Sequence, residues 1–262
     1  MFQPFVHLAL LAAAHAAEAA PSVPSFVAEP IVQDAAPAPA APAWTGNISA
    51  GFVMTDGNSE MRQANASADA TLKRENDAFT LGFLWVYAEN NNAPNTDWTL
   101  TDRKTFGRGK YDYFFAEKTY AYGLATAEND LLQDISLRWT AGAGLGHQYL
   151  DTDTWKFAVE AGLAFLDTDY KNATDTDDLT VRGSTNTAYK ASDTWSFAHI
   201  LEAYPSVEDA EDVYGRSQLT ADAKLSENML ASFKWVLDYD NTPVPGNDRV
   251  DNRYLLSVGW KF

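Results

Sequence analysis

The segment VDNRYLLSVGWKF, residues 250–262, shows most clearly how this chain folds. Every second residue in it is apolar or aromatic: Tyr254, Leu256, Val258, Trp260 and Phe262. The residues between these positions, apart from Leu255, are small or charged. A period of two places alternate side chains on opposite faces of a β-strand, so the segment is predicted to be an amphipathic strand with one apolar face.

The same alternation continues upstream through most of the chain. Between Leu230 and Asp240, for example, the aromatic residues Phe233, Trp235 and Tyr239 share one face. Cutting the chain at turn-forming residues predicts twelve strands, near residues 44–54, 61–74, 78–89, 98–111, 117–128, 133–149, 155–167, 179–190, 195–204, 213–225, 230–240 and 249–262. The strands near 98–111 and 117–128 alternate poorly, so the sequence does not define their registers.

The predicted connections alternate in length along the chain. Short ones at 75–77, 151–154, 191–194 and 226–229 are interleaved with longer, often acidic ones at 55–60, 90–97, 167–178, 205–212 and 241–248. Short turns on one rim and longer loops on the other are typical of outer-membrane barrels. We therefore predict an all-β fold, a transmembrane antiparallel up-and-down β-barrel of about 12 strands with short periplasmic turns and longer acidic extracellular loops.

Composition separates this prediction from its alternatives. The barrel region has no apolar run of eighteen residues and mean hydropathy is −0.31, which excludes a helical membrane protein. A soluble β-sandwich or lipocalin would need a closed core large enough for most of the eight tryptophans. The lumen of a twelve-stranded barrel is too wide for inward apolar side chains to fill easily. An outward aromatic band, by contrast, can contact lipid directly. The sequence therefore favours the cell outer membrane.

The region before the barrel indicates export. Residues 1–19 have an apolar core followed by small-residue cleavage sites and are predicted to be a signal peptide. Residues 20–43 are rich in Ala and Pro and are predicted to be a periplasmic linker, which leaves 44–262 as the barrel. The chain has no cysteine, and its net charge of −17 argues against nucleic acid as a partner.

A set of short motifs from Trp44 to Phe262 resembles one family. The motifs are Trp44-Thr45-Gly46, Gly57-Asn58-Ser59, Glu128 to Asp134 with Arg138, Gly142 to Gly146, Glu160-Ala161-Gly162, Glu202-Ala203-Tyr204, and Pro243 with Asp251. They are similar to the domain-of-unknown-function family of salt-induced outer-membrane proteins, although His147 stands where that family usually has Tyr. The resemblance implies an outer-membrane location, a link to salt or osmotic stress, and no established activity.

The chain end resembles a second signal. Trp260-Lys261-Phe262 places an aromatic residue last and is similar to the terminal signal that barrel-assembly machinery recognises. The expected partners are therefore this machinery during biogenesis, outer-membrane lipid and lipopolysaccharide. The sequence does not indicate an oligomeric state.

Charged residues concentrate on the face that would line the lumen. They are Arg138, Glu160, Arg182, Glu202, Arg216, Asp222, Lys224, Lys234, Asp238, Asp240, Arg249, Asp251, Arg253 and Lys261. Such a set fits either a salt-bridged, largely closed lumen or a narrow pore for small solutes or ions. Eight of these residues are basic and six acidic, a near balance that favours pairing and a closed envelope protein. Gly142, Gly144 and Gly146 share this face and would leave room for bulky neighbours.

Two further features suggest chemistry less strongly. The loop aspartates Asp167, Asp169, Asp175, Asp177 and Asp178 are a candidate weak divalent-ion site, but solvated loop charge is the favoured explanation, because the segment lacks a Gly-containing loop of fixed ligand spacing. An outer-membrane hydrolase would need a histidine base, and only His147 and His199 remain after the predicted leader, both on the lipid-facing register. We therefore expect no enzyme activity, no cofactor and no bound metal.

Overall fold

The computed structural model describes residues 43–56, 60–91 and 97–262. Within them, twelve antiparallel strands form one closed barrel, in which each strand pairs with its sequence neighbours and the last returns to the first. The predicted all-β, up-and-down barrel is confirmed. No helix in the described ranges has the length and hydropathy needed to cross a membrane. The predicted signal peptide, and the predicted linker except Ala43, lie outside the described residues.

The strands agree with the predicted ones to within a few residues at most ends. They are β1 (Trp44–Thr55), β2 (Glu60–Lys73), β3 (Asp77–Asn91), β4 (Thr99–Ala116), β5 (Thr119–Asp130), β6 (Ile135–Asp151), β7 (Trp155–Tyr170), β8 (Thr176–Lys190), β9 (Trp195–Pro205), β10 (Val213–Lys224), β11 (Met229–Asp240) and β12 (Val250–Lys261). The strand count is therefore confirmed.

The two ends of the barrel differ, as the connection lengths predict. The end that holds Trp44 and Phe262, here called the turn end, carries connections of two to four residues: 74–76, 117–118, 152–154, 191–194 and 225–228. The opposite loop end carries connections of four to nine residues: 56–59, 92–98, 131–134, 171–175, 206–212 and 241–249.

The predicted length of one loop, between β7 and β8, is wrong. Residues 167–178 were expected to form a long loop, but β7 and β8 continue through both of its sides and leave only 171–175 as a connection. Asp167 pairs with Asp177 in this extended ladder. The backbone hydrogen bonds of the hairpin therefore outweigh the repulsion between carboxylates that solvent screens at the loop end.

Side-chain burial shows that the barrel is apolar outside and polar inside. On β1, Ile48 and Phe52 are 60% and 66% exposed, whereas Asn47 and Ser49, on either side of Ile48, are buried. The same contrast recurs on β12, where Tyr254 and Leu256 are exposed while Arg253 is buried. Alternation in the sequence thus sorts apolar side chains onto the outer wall, the reverse of a soluble barrel.

The lumen also contains apolar clusters, and two of them are larger than a pair of alanines. One joins Leu84 and Val86 of β3 to Val236 and Leu255 of β11 and β12, with Phe106 of β4 packed against it. The other is made of Ala78, Phe114, Tyr120, Tyr122 and Leu124. Three of the glycines in β6 and β7 make room for these rings: Gly144 and Gly162 lie beside the Tyr122 hydroxyl, and Gly146 lies beside the Tyr120 ring.

Candidate functional site

The candidate functional site is the charged lumen of the barrel. It forms because alternate side chains along each strand point inward. Alternate residues of each strand face a space that is closed to bulk water along its walls, and each strand from β4 to β12 places at least one buried charged side chain there. A buried charge is costly unless an opposite charge and hydrogen bonds accompany it, so the lumen charges are expected to pair. The structure shows two such clusters, one in the middle of the barrel and one toward the loop end.

The middle cluster is centred on Arg182 of β8, which is fully buried. Its Nη1 lies 2.9 Å from Glu160 Oε2, and its Nη2 donates to Glu202 Oε1. Lys110 pairs with the other oxygen of Glu160, and Arg108 Nη1 lies 3.0 Å from Glu202 Oε2. Each carboxylate is therefore held between two cations.

Two more groups complete the middle cluster. Lys110 Nζ lies 2.6 Å from Asp112 Oδ1, and the Tyr120 hydroxyl donates to Glu160 Oε1 over 2.8 Å. The cluster thus contains three cations and three carboxylates, so its formal charges cancel. Balanced charge with additional hydrogen bonds is the arrangement that best offsets desolvation in a buried site.

The loop-end cluster is larger and acidic. Lys104 Nζ lies 2.9, 3.3 and 3.0 Å from carboxylate oxygens of Glu128, Asp130 and Asp238, respectively. The other cations are Arg138, Arg216 and Arg253, and the other carboxylates are Asp102, Asp240 and Asp251. Four cations therefore face six carboxylates, which leaves two formal negative charges in excess.

Several of these ion pairs cross the lumen rather than follow the wall. The pairs join strands that are four or five places apart in the barrel: Lys104 to Asp238, Arg108 to Glu202, Arg216 to Glu128, Arg253 to Asp102 and Arg253 to Asp130. Three cavities described between them have volumes of about 20, 40 and 10 Å³. Spaces of this size hold at most a few water molecules.

Nine of the fourteen charged residues predicted to line the lumen lie in these clusters: Arg138, Glu160, Arg182, Glu202, Arg216, Asp238, Asp240, Asp251 and Arg253. Lys234 and Asp222 lie apart from them. Lys234 Nζ is 3.5 Å from Asp69 Oδ2, and Asp222 is buried with no hydrogen-bond partner for Oδ1 in the described part of the chain.

One detail of the predicted network is wrong. Arg249 is exposed because it ends the 241–249 loop, where strand alternation no longer applies. Arg138 does face the lumen, where its guanidinium contacts Glu128 and Asp240. The alternation of the sequence predicts which face of the strand a residue occupies. The position of that residue along the barrel axis depends on strand register.

Sequence reasoning missed the cations and acids of β4 and β5. Lys104, Arg108, Lys110 and Asp112 supply half of the middle cluster and the central cation of the other. The sequence did contain the pattern needed to find them. The charged residues Asp102, Lys104, Arg108, Lys110 and Asp112 all occupy even-numbered positions of β4, so they lie on the same face of that strand. Their outward neighbours include Gly107 and Gly109 instead of large apolar residues, which weakens the contrast between faces.

The five aspartates of the candidate ion site do not converge. Asp175 Oδ1 accepts a hydrogen bond from the Tyr170 amide, and Asp178 Oδ1 accepts one from the Ser206 hydroxyl, both over 2.9 Å. Asp167 and Asp177 face each other in the hairpin, and Asp169 is exposed. Across residues 43–56, 60–91 and 97–262, no group of three or more His, Asp or Glu side chains is arranged to hold a metal ion.

Both histidines lie on the outer wall beside hydroxyl groups. His199 Nε2 is 2.9 Å from Ser217 Oγ, and His147 Nδ1 is 2.9 Å from Thr119 Oγ1. No described carboxylate hydrogen-bonds to either ring. A histidine and a hydroxyl without an orienting acid satisfy each other's polar atoms, and they form only part of a nucleophilic site.

The predicted assembly signal closes the barrel. Trp260 and Phe262 are about half exposed on the outer wall. The amide of Phe262 donates to Gly46 O over 3.0 Å, and the Gly46 amide donates to Phe262 O over 3.1 Å. The terminal residue therefore contributes to the junction of the first and last strands.

Fold and lumen together define a closed twelve-stranded β-barrel with an apolar outer wall and an ion-paired interior. The chain belongs to the family described as "Protein of unknown function, DUF481", whose model matches residues 48–262. The expected membership in a family of unknown function is thus confirmed, and the link to salt stays a prediction. No curated protein sequence matches the chain.

Several solved barrels resemble the chain at low sequence identity. The NanC porin is 10% identical with a TM-score of 0.48, over 83% of this chain and 100% of that chain. The translocator domain of autotransporter NalP from Neisseria meningitidis is 13% identical with a TM-score of 0.46, over 84% and 87%. The KdgM porin is 11% identical with a TM-score of 0.40, over 84% and 99%. The fold assignment here depends on the strand pairing of the chain itself.

Proposed function

We propose that the protein is an integral outer-membrane β-barrel whose lumen is closed by ion pairs, and that it serves as a structural, non-conducting component of the envelope. The observation that carries this proposal is the set of salt bridges that cross the lumen. Arg253 alone contacts carboxylates of β4, β5 and β11. Side chains that meet across the barrel occupy the space that a solute would need.

The membrane location is supported by the outer wall. Large apolar side chains such as Phe52, Leu145 and Leu163 are more than half exposed, and they recur around the barrel. Exposure of this much apolar surface to water would cost roughly 25 cal/mol for each Å². Closure of the barrel also leaves no sheet edge, which is the condition for strands to lie in hydrocarbon.

The partners follow from this location. Lipid would contact the apolar wall, and lipopolysaccharide would meet the loop end. The outward Trp260 and Phe262 fit recognition by assembly machinery during insertion. The acidic charge of the chain gives no surface for nucleic acid. A link to salt or osmotic stress is proposed on the family resemblance alone.

A narrow hydrated path is the second candidate function. The cavity near the loop end and its neighbour share Glu128 and Arg138 as lining residues, and this neighbour shares Phe106, Glu202 and Arg216 with the third. Three water-sized spaces therefore lie in series, and small ions could move along them if the ion pairs rearranged. Catalysis is not proposed, because neither histidine has an orienting carboxylate among the described residues.

Swelling of proteoliposomes in an isosmotic sugar solution tests the closed state. Purified protein would be compared with an open general porin and with empty liposomes, using L-arabinose as the solute. The proposal expects swelling no faster than that of empty liposomes. Swelling at the rate of the open porin would contradict it, while a double variant, Lys104→Ala with Arg253→Ala, should swell measurably because two of the four cations that pair across the lumen are lost.

A further inference from the structure

The loop-end cluster of the lumen carries more negative than positive charge. Its six carboxylates exceed its four cations by two, whereas the charges of the middle cluster cancel. Two further charges, Asp248 and Arg249, line the cavity between this cluster and the loop 241–249, and they offset each other. Excess charge in a buried site is costly, so a cation that enters this cavity would be bound favourably.

One carboxylate of the cluster, Asp130, has an oxygen that makes no hydrogen bond. Asp130 is 0% exposed, and the two cations that contact it do so at Oδ2, with Arg253 Nη2 at 2.8 Å and Lys104 Nζ at 3.3 Å. Its Oδ1 has no hydrogen-bond partner among residues 43–56, 60–91 and 97–262. A buried acceptor is stabilised by each hydrogen bond that it accepts, so a donor that reaches Oδ1 would be held there.

The cavity that Asp130 lines has room for one small group. Its volume is about 20 Å³, close to the space that a single water molecule needs. Hydrogen-bonding groups and apolar surface are combined in its lining, the former from Asp130, Gln133 and Asn247 and the latter from Ile135, Pro243 and Val244. A ligand with a small charged head and an apolar stem would match both parts.

The chemistry of the lining favours an ammonium group over a metal ion. Ca²⁺ and Mg²⁺ need several oxygen ligands, and in the described part of the chain no three Asp, Glu or His side chains converge to supply them. A primary ammonium group has three N–H donors, and the methylene groups behind it can pack on apolar surface as the stem of a lysine does. A quaternary ammonium group is larger and has no N–H to donate to Asp130.

The neighbouring loop 206–212 would attract such a ligand. It has no Lys or Arg and four carboxylates: Glu208, Asp209, Glu211 and Asp212. It is fixed to the loop that lines the cavity, because Asn241 Nδ2 donates to the Glu211 carbonyl over 2.7 Å and Thr242 Oγ1 donates to Asp212 Oδ1 over 2.6 Å. Acidic charge beside a narrow opening raises the local concentration of cations, and a second ammonium group on the same ligand would also be attracted.

We propose that this cavity binds the terminal ammonium group of a linear aliphatic diamine or polyamine, with Asp130 Oδ1 as its acceptor. The second charge of the ligand then faces the acidic loop 206–212. The proposal goes beyond the function given above and depends neither on the membrane location nor on whether the lumen conducts. It does depend on the loop-end cluster, whose ion pairs hold Asp130 in place.

Calorimetric titration of the refolded protein in detergent micelles tests the site. The ligands would be 1,4-diaminobutane and its N-permethylated analogue, which has the same charge but no N–H group, at one fixed ionic strength. The expected result is saturable binding of one diaminobutane per barrel, with the analogue bound about tenfold more weakly because it cannot donate to Asp130. Equal affinity for the two ligands would overturn the proposal, since it would show attraction to loop charge alone.

Substitutions locate the binding at Asp130. Asp130→Asn should weaken diaminobutane binding about tenfold, whereas the matched control Asp169→Asn, an exposed loop-end carboxylate outside the cavity, should leave it unchanged. If heat-modifiable migration shows that Asp130→Asn does not fold, Asp251→Asn replaces it, because Asp251 lines the same cavity and its side chain is 30% exposed. That variant should weaken binding severalfold. Wild-type affinity in the folded variant, or displacement of diaminobutane by an equal concentration of Ca²⁺, would overturn the proposal.

Discussion

Arg253 on β12 and Asp102 on β4 meet across the lumen, with Arg253 Nε 2.9 Å from Asp102 Oδ2 although 151 residues separate them in the chain. The same guanidinium also contacts Asp130 and Asp238. One side chain thus ties together four strands of the wall. The free energy of unfolding and the closed state of the lumen should therefore both depend on it.

Arg253→Ala should lower the free energy of unfolding by about 3–5 kcal/mol, because buried carboxylates lose their cation. Arg138→Ala and Arg182→Ala should act in the same direction. The control is Arg74→Ala, which removes an exposed pair with Asp77 and should cost about 0–1 kcal/mol. Urea unfolding in lipid vesicles measures the difference, and equal losses in Arg253→Ala and Arg74→Ala would show that the lumen pair is not needed for stability.

Gly146→Ala should destabilise the barrel by about 1–3 kcal/mol, because the added methyl group would overlap the ring of Tyr120 in a packed lumen. Gly183 provides the matched control, since a Cβ there meets nothing within 4 Å. The two alanine variants would be compared by their unfolding midpoints in urea. If both variants unfold like the wild type, the lumen at β5 and β6 is looser than the structure shows.

Leu163→Lys should cost about 2–4 kcal/mol, because the residue lies at mid-strand on the lipid-facing wall. Tyr149→Lys should cost only about 0–1 kcal/mol, because this equally exposed position lies near the turn end. Refolding into vesicles measures both values. Equal costs at the two depths would argue against a membrane-spanning wall, whose penalty for charge depends on depth.

Epitope tags should be accessible on intact cells when inserted in the loops 206–212 and 241–249, and inaccessible when inserted in the turn 225–228. The reason is that outer-membrane barrels place short turns and both termini in the periplasm. Permeabilised cells provide the control for expression of each tag. Labelling of 225–228 on intact cells with none at 241–249 would invert the proposed orientation.

Much of the fold could be predicted because alternation in most strands contrasts apolar with charged residues. β12 is the clearest case, since Tyr254 and Leu256 face outward while Arg253 faces the lumen. β5 is the opposite case: Tyr120 and Tyr122 face inward, and Ala121 and Gly123 face outward. There the bulky side chains fill the lumen, so size and hydropathy no longer indicate the lipid side.

The pairing inside the lumen could be predicted only in part. Sequence gives the face of Arg138, but its partner Glu128 is set by the register of β5 on β6, which includes an irregularity after Glu128. Contacts across the lumen depend further on how the closed barrel brings distant strands together. Lys104 and Asp238 illustrate this, since no local pattern links β4 to β11.

Ion current through single purified barrels in a planar lipid bilayer tests the closed lumen most directly. Insertion would be verified independently by heat-modifiable migration of the recovered protein. We predict no steady single-channel current from the wild type at moderate voltage, and discrete openings from Lys104→Ala with Arg253→Ala, which lacks two of the four cations that pair across the lumen. Large, stable currents from the wild type, unchanged by this double substitution, would contradict the account.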